Sequence, residues 1–227
     1  MVEGRYKGNI TLDKAVIARL PKRIVLTTTV QFIDQMPSIK VQLEAAGKTV
    51  ETDKKRQAYH GQLLGCDSTA GEFIQNEVDA FLYVGTGLFH PINLGMNVAQ
   101  DVYLYDPFTK KLEIMDKSIV KKLQLKRQAF IKKFYTAKNI GILVSMKSGQ
   151  GNFEKGMKLK KELEKQDKHA YLFVFETLDF SQPENFPFIE CWVNTACPRI
   201  FDDYEKFSKP LVNMDDISEH SFHKKRF

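Results

Sequence analysis

The sequence predicts an α/β fold of two similar domains, each a four-stranded parallel sheet flanked by helices, arising by internal duplication. Three observations predict it. Short apolar runs rich in β-branched residues alternate with amphipathic helical stretches, the pattern of strand–helix–strand units. Connections of that kind imply parallel sheets. The order of strand, polar loop, helix and strand runs through residues 1–137 and again through residues 138–227, which are taken as the two domains.

The first half opens with a helix near residues 12–20. Residues 23–30, Arg-Ile-Val-Leu-Thr-Thr-Thr-Val, read as a buried strand, followed by a polar loop at 31–35. Met36, Ile39, Leu43 and Ala46 are spaced as one helix face, and Gly47 stands where a helix stop belongs. Residues 48–52 form a short second strand. Ala70, Phe73, Ile74 and Val78 suggest another helix, residues 79–84 a third strand, and residues 102–105 a fourth, stopped by Pro107. A long helix over 117–136, with Ile119, Leu123, Phe130 and Phe134 as its apolar stripe, leads into the second half. There, strand 139–144, a Gly-containing loop at 145–152 and an amphipathic helix over 153–168 repeat the plan. Strands at 170–175, 188–193 and 211–213 complete it.

Composition narrows the function classes. With 43% hydrophobic and 27% charged residues, the chain is neither collagenous, mucin-like nor wholly disordered. No uncharged apolar run approaches the roughly 18 residues of a membrane span. Met1-Val2-Glu3-Gly4-Arg5 lacks a signal-peptide core. Three cysteines, an odd number, argue against a secreted disulfide framework. The expectation is a cytoplasmic protein without a membrane partner. The net charge of +6 comes from lysines recurring at solvent positions of helices, not from a basic patch laced with aromatics, so no nucleic-acid partner is expected.

In such units, ligands gather at loops beyond the carboxyl ends of the strands. Those loops are residues 28–31, 60–67, 85–93, 145–150 and 194–203, and they carry most of the glycines and two of the cysteines. Cys66, in Gly61-Gln62-Leu63-Leu64-Gly65-Cys66-Asp67, precedes an expected helix, whose first amides lower a thiol's pKa and suit a nucleophile or metal ligand. A small buried residue is the plainer reading of a lone cysteine. Cys197 is followed by Pro198 at a strand end, as many iron–sulfur ligands are. Cys191 lies inside an expected strand and reads as a core filler. No pair of cysteines has zinc-ribbon spacing. Gly85-Thr86-Gly87 lacks the last glycine of a dinucleotide fingerprint and reads as a close-approach loop, with His90 and Pro91 at its far side. His90 suits an acid–base or ligand role and a backbone-bonded loop role equally. Asp202 and Asp203 read as helix caps, with a ligand role open beside Cys197 and Arg199.

Five segments then combine. Residues 28–31 (Thr-Thr-Val-Gln), 61–67, 85–91 (Gly-Thr-Gly-Leu-Phe-His-Pro), 143–150 (Leu-Val-Ser-Met-Lys-Ser-Gly-Gln) and 194–200 (Asn-Thr-Ala-Cys-Pro-Arg-Ile) follow in an order and spacing that resembles the archaeal diphthamide-synthesis enzymes, the 2-(3-amino-3-carboxypropyl)histidine synthases. The resemblance runs from about residue 3 to residue 211. It implies three similar α/β domains around a 4Fe–4S cluster, each giving one cysteine, with one iron left for S-adenosylmethionine. It implies cleavage of the sulfonium Cγ–S bond to a 3-amino-3-carboxypropyl radical. That radical adds to a histidine of translation elongation factor 2, the first step of diphthamide biosynthesis. Carried onto this sequence, it makes Cys66 and Cys197 cluster ligands and points to Thr28, Gln31, Gly65, Gly85, Thr86, Gly87, His90, Gly149 and Gln150 as the S-adenosylmethionine loops. It also implies that the chain starts at the family's second domain. A separate N-terminal domain or a homologous subunit, in a dimer, would then supply the third cysteine. The alternative is a non-catalytic homologue that scaffolds a partner enzyme or binds the elongation factor. Retention of both Cys66 and Cys197 favours the enzyme.

Overall fold

The computed structural model describes residues 4–52, 58–64, 77–147 and 153–217. Contacts divide the chain into two compact units, Met1–Lys122 and Leu123–Phe227. In the first, α1 (Lys14–Ala18), β1 (Arg23–Thr28), α2 (Met36–Ala45), β2 (Thr49–Glu51), β3 (Ala80–Val84), α3 (Phe89–Asn97), β4 (Asp101–Asp106) and β5 (Lys111–Ile114) follow in turn. The sheet order is β2-β1-β3-β4-β5, parallel except for β5, which pairs antiparallel with β4. Helix α4 (Lys117–Thr136) leads to β6 (Asn139–Ser145), α5 (Phe153–Glu164), β7 (His169–Phe175), β8 (Cys191–Asn194) and β9 (Leu211–Asn213). These strands form an all-parallel sheet of order β7-β6-β8-β9. Numbering strands within each unit, both sheets run second-first-third-fourth, the signature of one plan used twice.

The central strands explain why the sequence reads as it does. β1, β3 and β6 are buried along nearly their whole lengths, because a parallel strand with both faces covered has no solvent side. Side chains alternate between faces. Ile24, Leu26, Leu82 and Val84 therefore join one core with α2, while Val25, Phe81 and Tyr83 join the other with Leu94 of α3 and Val120 of α4. In the second unit Ile140, Ile142, Val144, Cys191 and Val193 face Ile131, Phe134, Leu159 and Leu163 of the helices. Leu143 and Trp192 face the opposite way. Edge strand β7 has one buried residue, Ala170, and is otherwise exposed or partly exposed.

Several expectations shift in detail. The first sheet gains β5, because Pro107 opens a turn and does not end the strand region. Asp106 Oδ1 accepts from the amides of Phe108 (2.8 Å) and Thr109 (3.3 Å), and Lys110 takes φ 55° to reverse the chain. In the stripe of α4, Phe134 is buried and Leu123 and Phe130 partly so, but Val120 and Ile131 are buried with them, whereas Ile119 is 37% exposed. β8 begins only at Cys191, leaving Phe188 exposed ahead of it. Residues 85–93 are not all loop. Helix α3 starts at Phe89, with Pro91 in its first turn, where a missing amide costs no helical bond. The expected helix through Ala70, Phe73 and Ile74 lies outside the described residues. No helix among the described residues is long and apolar enough to cross a membrane.

Gly141 is where packing is tightest. It pairs in register with Trp192, and a Cβ there would come within 2.4 Å of the indole ring, which is held against Phe173 at 4.8 Å. A rigid ring in a full core has no room to retreat. Gly141→Ala is expected to destabilise the second unit by about 1–3 kcal/mol. The fluorescence of Trp192, the chain's single tryptophan, followed through urea unfolding, measures this directly.

Candidate functional site

The shared strand order creates one special place in each sheet. The strand order carries the chain from β1 and β3 toward opposite sides, and likewise from β6 and β8, the arrangement that in parallel α/β sheets places a crevice between the carboxyl ends. Buried polar side chains gather there. Thr27, Thr28, Ser145, Asn194 and Asn213 all occupy the carboxyl ends of strands, and Gln62 joins them. Each is hydrogen-bonded, as burial demands.

In the first unit, Thr28 ends β1 with its Oγ1 donating to the Val84 carbonyl at 2.6 Å. Its backbone also receives residues 61–63: Thr28 N donates to the Gly61 carbonyl (2.8 Å) and Leu63 N to the Thr28 carbonyl (2.7 Å). Gly61 makes this possible. Its φ of 72° and its approach to Leu26 O, 2.8 Å from where a Cβ would stand, exclude larger residues. The segment leading to Cys66 is thus fastened to the end of β1. Gly65 and Cys66 themselves lie outside the described residues, as do Gly149 and Gln150.

Gly85 follows β3, and its amide donates to Tyr105 O at 3.0 Å. Thr86 and Gly87 are exposed, and Gly87 takes φ 70°. Gln31 is exposed, with its carbonyl accepting from the Tyr6 amide at 2.7 Å. His90 is half-buried in the first turn of α3, edge-on to Phe89 at 5.0 Å, so it belongs to a helix and not to the far side of a loop. The sequence reading passed over Tyr83. Its hydroxyl lies beneath Gly85, 2.6 Å from where a Cβ would stand, and finds no hydrogen-bond partner among the described residues. Burial pushes this phenol up to about 12, so it stays a neutral donor. Gly85 therefore cannot be larger, and an orphaned donor sits under the loop where a polar ligand is expected.

In the second unit, Thr195 closes the crevice by donating both its amide (3.1 Å) and Oγ1 (2.8 Å) to Leu143 O. Cys197 follows, half-buried, with Pro198 opening a 3-10 segment, Pro198–Lys206. Arg199 and Asp202 pair at 2.5 Å, and Asp203 pairs with Lys206 at 2.7 Å, so both aspartates serve the segment itself instead of its cap. Burial raises the Asp202 carboxyl above its usual range, against the opposing pull of Arg199.

The two described thiols differ in kind. Cys191 is fully buried in the helix-facing core, and desolvation pushes its thiol up to about 12 despite the counter-pull of Lys168. It does not fit a thiolate ligand. Cys197 does fit as one ligand of an iron–sulfur group: a partly accessible thiol at a strand's carboxyl end in a pinned turn. The described residues hold no group of three or more His, Cys, Asp or Glu side chains that could bind a metal ion on their own.

The repeated sheet order and the polar strand ends define the class, a twice-built parallel α/β protein, and comparison with known proteins defines the family. The family described as diphthamide synthesis protein matches residues 9–218. The 2-(3-amino-3-carboxypropyl)histidine synthase of Pyrococcus horikoshii is 33% identical over 88% of this chain and 58% of its own length. Subunit 1 of the Caenorhabditis elegans synthase is 28% identical over 89% of this chain and 53% of its own. The crystal structure of Pyrococcus horikoshii Dph2 with a 4Fe–4S cluster superposes with a TM-score of 0.75 at 30% identity, covering 93% of this chain and 60% of that one. The chain belongs to the diphthamide synthesis protein family. It spans about half the length of the curated relatives it matches.

The contrast between the thiols is measurable. In a Cys66→Ala background, a disulfide reagent at pH 8 should titrate one thiol in the native chain, Cys197, and two after denaturation. The raised Cys191 thiol also carries a pH signature. Below about pH 9 folded and unfolded chains both keep this proton; between about 9 and 12 only the unfolded chain releases it. Stability contributed by Cys191 is therefore lost as pH rises through that window. Urea midpoints should fall with pH less steeply in Cys191→Ala than in the parent chain.

Proposed function

We propose that this chain is the part of a 2-(3-amino-3-carboxypropyl)histidine synthase that carries two cluster cysteines, Cys66 and Cys197. It takes part in transferring a 3-amino-3-carboxypropyl group from S-adenosylmethionine to a histidine of translation elongation factor 2. The observation that carries the reading is Cys197 itself. Its thiol stands partly accessible in a pinned turn at the crevice of a sheet whose nearby second thiol, Cys191, is sealed in the core. Named relatives with the synthase activity, and a structural neighbour holding a 4Fe–4S cluster, support the chemistry.

Cys66 and Cys197 would hold the cluster together with a third thiolate from an N-terminal domain or a homologous subunit. The chemistry that a bound cluster supplies is one-electron reduction of the sulfonium. The chain's own residues bind and orient. Gly85, its amide held by Tyr105 O, sets the start of the loop, and the exposed Thr86 and Gly87 would let backbone amides approach the aminocarboxypropyl group. Thr28 locks the end of β1 to β3, fixing the base of that loop. The neutral Tyr83 hydroxyl offers a donor under it. Gln31, Gly65, His90, Gly149 and Gln150 complete the loops assigned to S-adenosylmethionine.

The test is anaerobic reconstitution with iron and sulfide, alone and together with a polypeptide bearing the family's remaining cysteine. Alone, the chain should bind iron weakly, since two thiolates rarely hold a 4Fe–4S cluster. With the third ligand it should bind stably and transfer the aminocarboxypropyl group to the elongation factor. Cys66→Ala and Cys197→Ala should each abolish both, while Cys191→Ala keeps the cluster. A cluster that survives Cys197→Ala overturns the ligand assignment. Stable assembly without cleavage of S-adenosylmethionine points to a non-catalytic role.

A further inference from the structure

A chain of buried polar side chains runs from helix α4 to the turn that carries Cys197. Asn194, the last residue of β8, donates from Nδ2 to the Cys197 carbonyl at 2.8 Å and to Asn213 Oδ1 at 2.8 Å. Its Oδ1 accepts the Ala196 amide at 3.0 Å. Asn213, the last residue of β9, donates from Nδ2 to the Pro198 carbonyl at 3.0 Å. Its backbone amide reaches Asp216 Oδ2 at 3.4 Å, and Asp216 Oδ1 pairs with Arg127 of α4. Asn194, Asn213 and Asp216 are each less than one-tenth exposed.

Burying two amides and a carboxylate is an expensive way to close a sheet end, since apolar residues of similar volume would serve stability equally well. What the polar groups supply is direction. The two carbonyls that follow the Cys197 side chain, its own and that of Pro198, are gripped by two different side chains. The backbone amide of Asn213 is in turn held by the Asp216 carboxylate, which pairs with Arg127. Thr195, bonded twice to Leu143 O, anchors the other end. Satisfied buried networks of this kind rigidify what they hold.

We infer that Arg127, Asp216, Asn213 and Asn194 are positioning residues that fix the direction of the Cys197 thiol. The inference deepens the ligand reading and rests on it for its catalytic meaning, but the restraint on the turn exists without a cluster. None of the four touches the reacting atoms; they act through the backbone of residues 195–198.

The experiment uses the full chain. In the unloaded protein, amide hydrogen exchange over residues 195–200 and the rate of Cys197 alkylation at fixed pH, in a Cys66→Ala background, report the turn. Trp192 fluorescence during urea unfolding reports global stability. In the assembled, cluster-bearing enzyme, the electron paramagnetic resonance of the reduced cluster reports the ligand's geometry. Asn213→Ala and Asn194→Ala should speed local exchange about five- to tenfold, the scale of one buried hydrogen bond. They should also change the alkylation rate and shift the resonance. Arg127→Lys, which keeps the cation, should stay near the parent chain, whereas Arg127→Ala should follow the asparagine variants. Arg127→Ala and Arg127→Lys keep the test open should an asparagine variant not fold. If only the unfolding midpoint falls, with local exchange and resonance unchanged, the residues are merely structural and the inference is overturned. If the turn loosens as expected but Cys197 binds no iron in the assembled enzyme, the positioning stands and the ligand reading is what fails.

Discussion

In a parallel sheet whose strands run second-first-third-fourth, the chain must leave the two central strands toward opposite sides. The connections diverge at the carboxyl ends of those two strands. That constraint is met once between β1 and β3 and again between β6 and β8. The strands flanking each gap are sealed on both faces by aliphatic side chains, so the sheet is held by burial along its length. Only where the strands end does the sequence turn polar, at Thr27, Thr28, Ser145, Asn194 and Asn213. Such groups are tolerated in the interior because each finds a partner, and those partners tie the loops to the sheet.

The periodic part of this design was legible in the sequence. Runs such as Ile24-Val25-Leu26 and Ile140 to Val144 are buried on both sides, and the spacing of Met36, Ile39 and Leu43 gave the face of α2 with Gly47 at its end, where φ is 80°. What escaped notice was settled by context. Pro107 looked like a terminator because proline cannot continue a ladder; in the structure the same property starts the turn into β5. Ile119 and Val120 are adjacent and equally apolar, so which one faces the core depends on where α4 meets the sheet, a fact no window of sequence contains. Helix α3 hid behind the glycines that precede it and Pro91, which its first turn can accept.

The site was legible to a different depth. Cysteine and glycine positions stood out because few other residues can do what they do. The asparagines did not, since Asn at a strand end is ordinary until its partners are known. Asn213 and Asp216 lie well beyond Cys197 in sequence, and Arg127 lies in a helix read only for its apolar stripe. Tyr83 was hidden for a related reason. Within Ala80–Val84 it counts as one more apolar strand residue, and only the position of its hydroxyl beneath Gly85 marks it out.

Cys191 and Cys197 show most plainly how a fold assigns chemistry. They are the same residue, at the two ends of one short strand and its exit turn. At Cys191 the alternation of β8 directs the sulfur into the core among Ile140, Val193 and Leu163, where ionisation has to be achieved without water and the thiol stays protonated. Past Asn194 the strand has ended, no facing helix covers the chain by alternation, and the next proline removes an amide that would otherwise need a partner. A thiol there is partly accessible, but a free loop would let it point anywhere. Holding it in one direction therefore falls to side chains rather than to the sheet, and the amides of Asn194 and Asn213 stand where that restraint has to act.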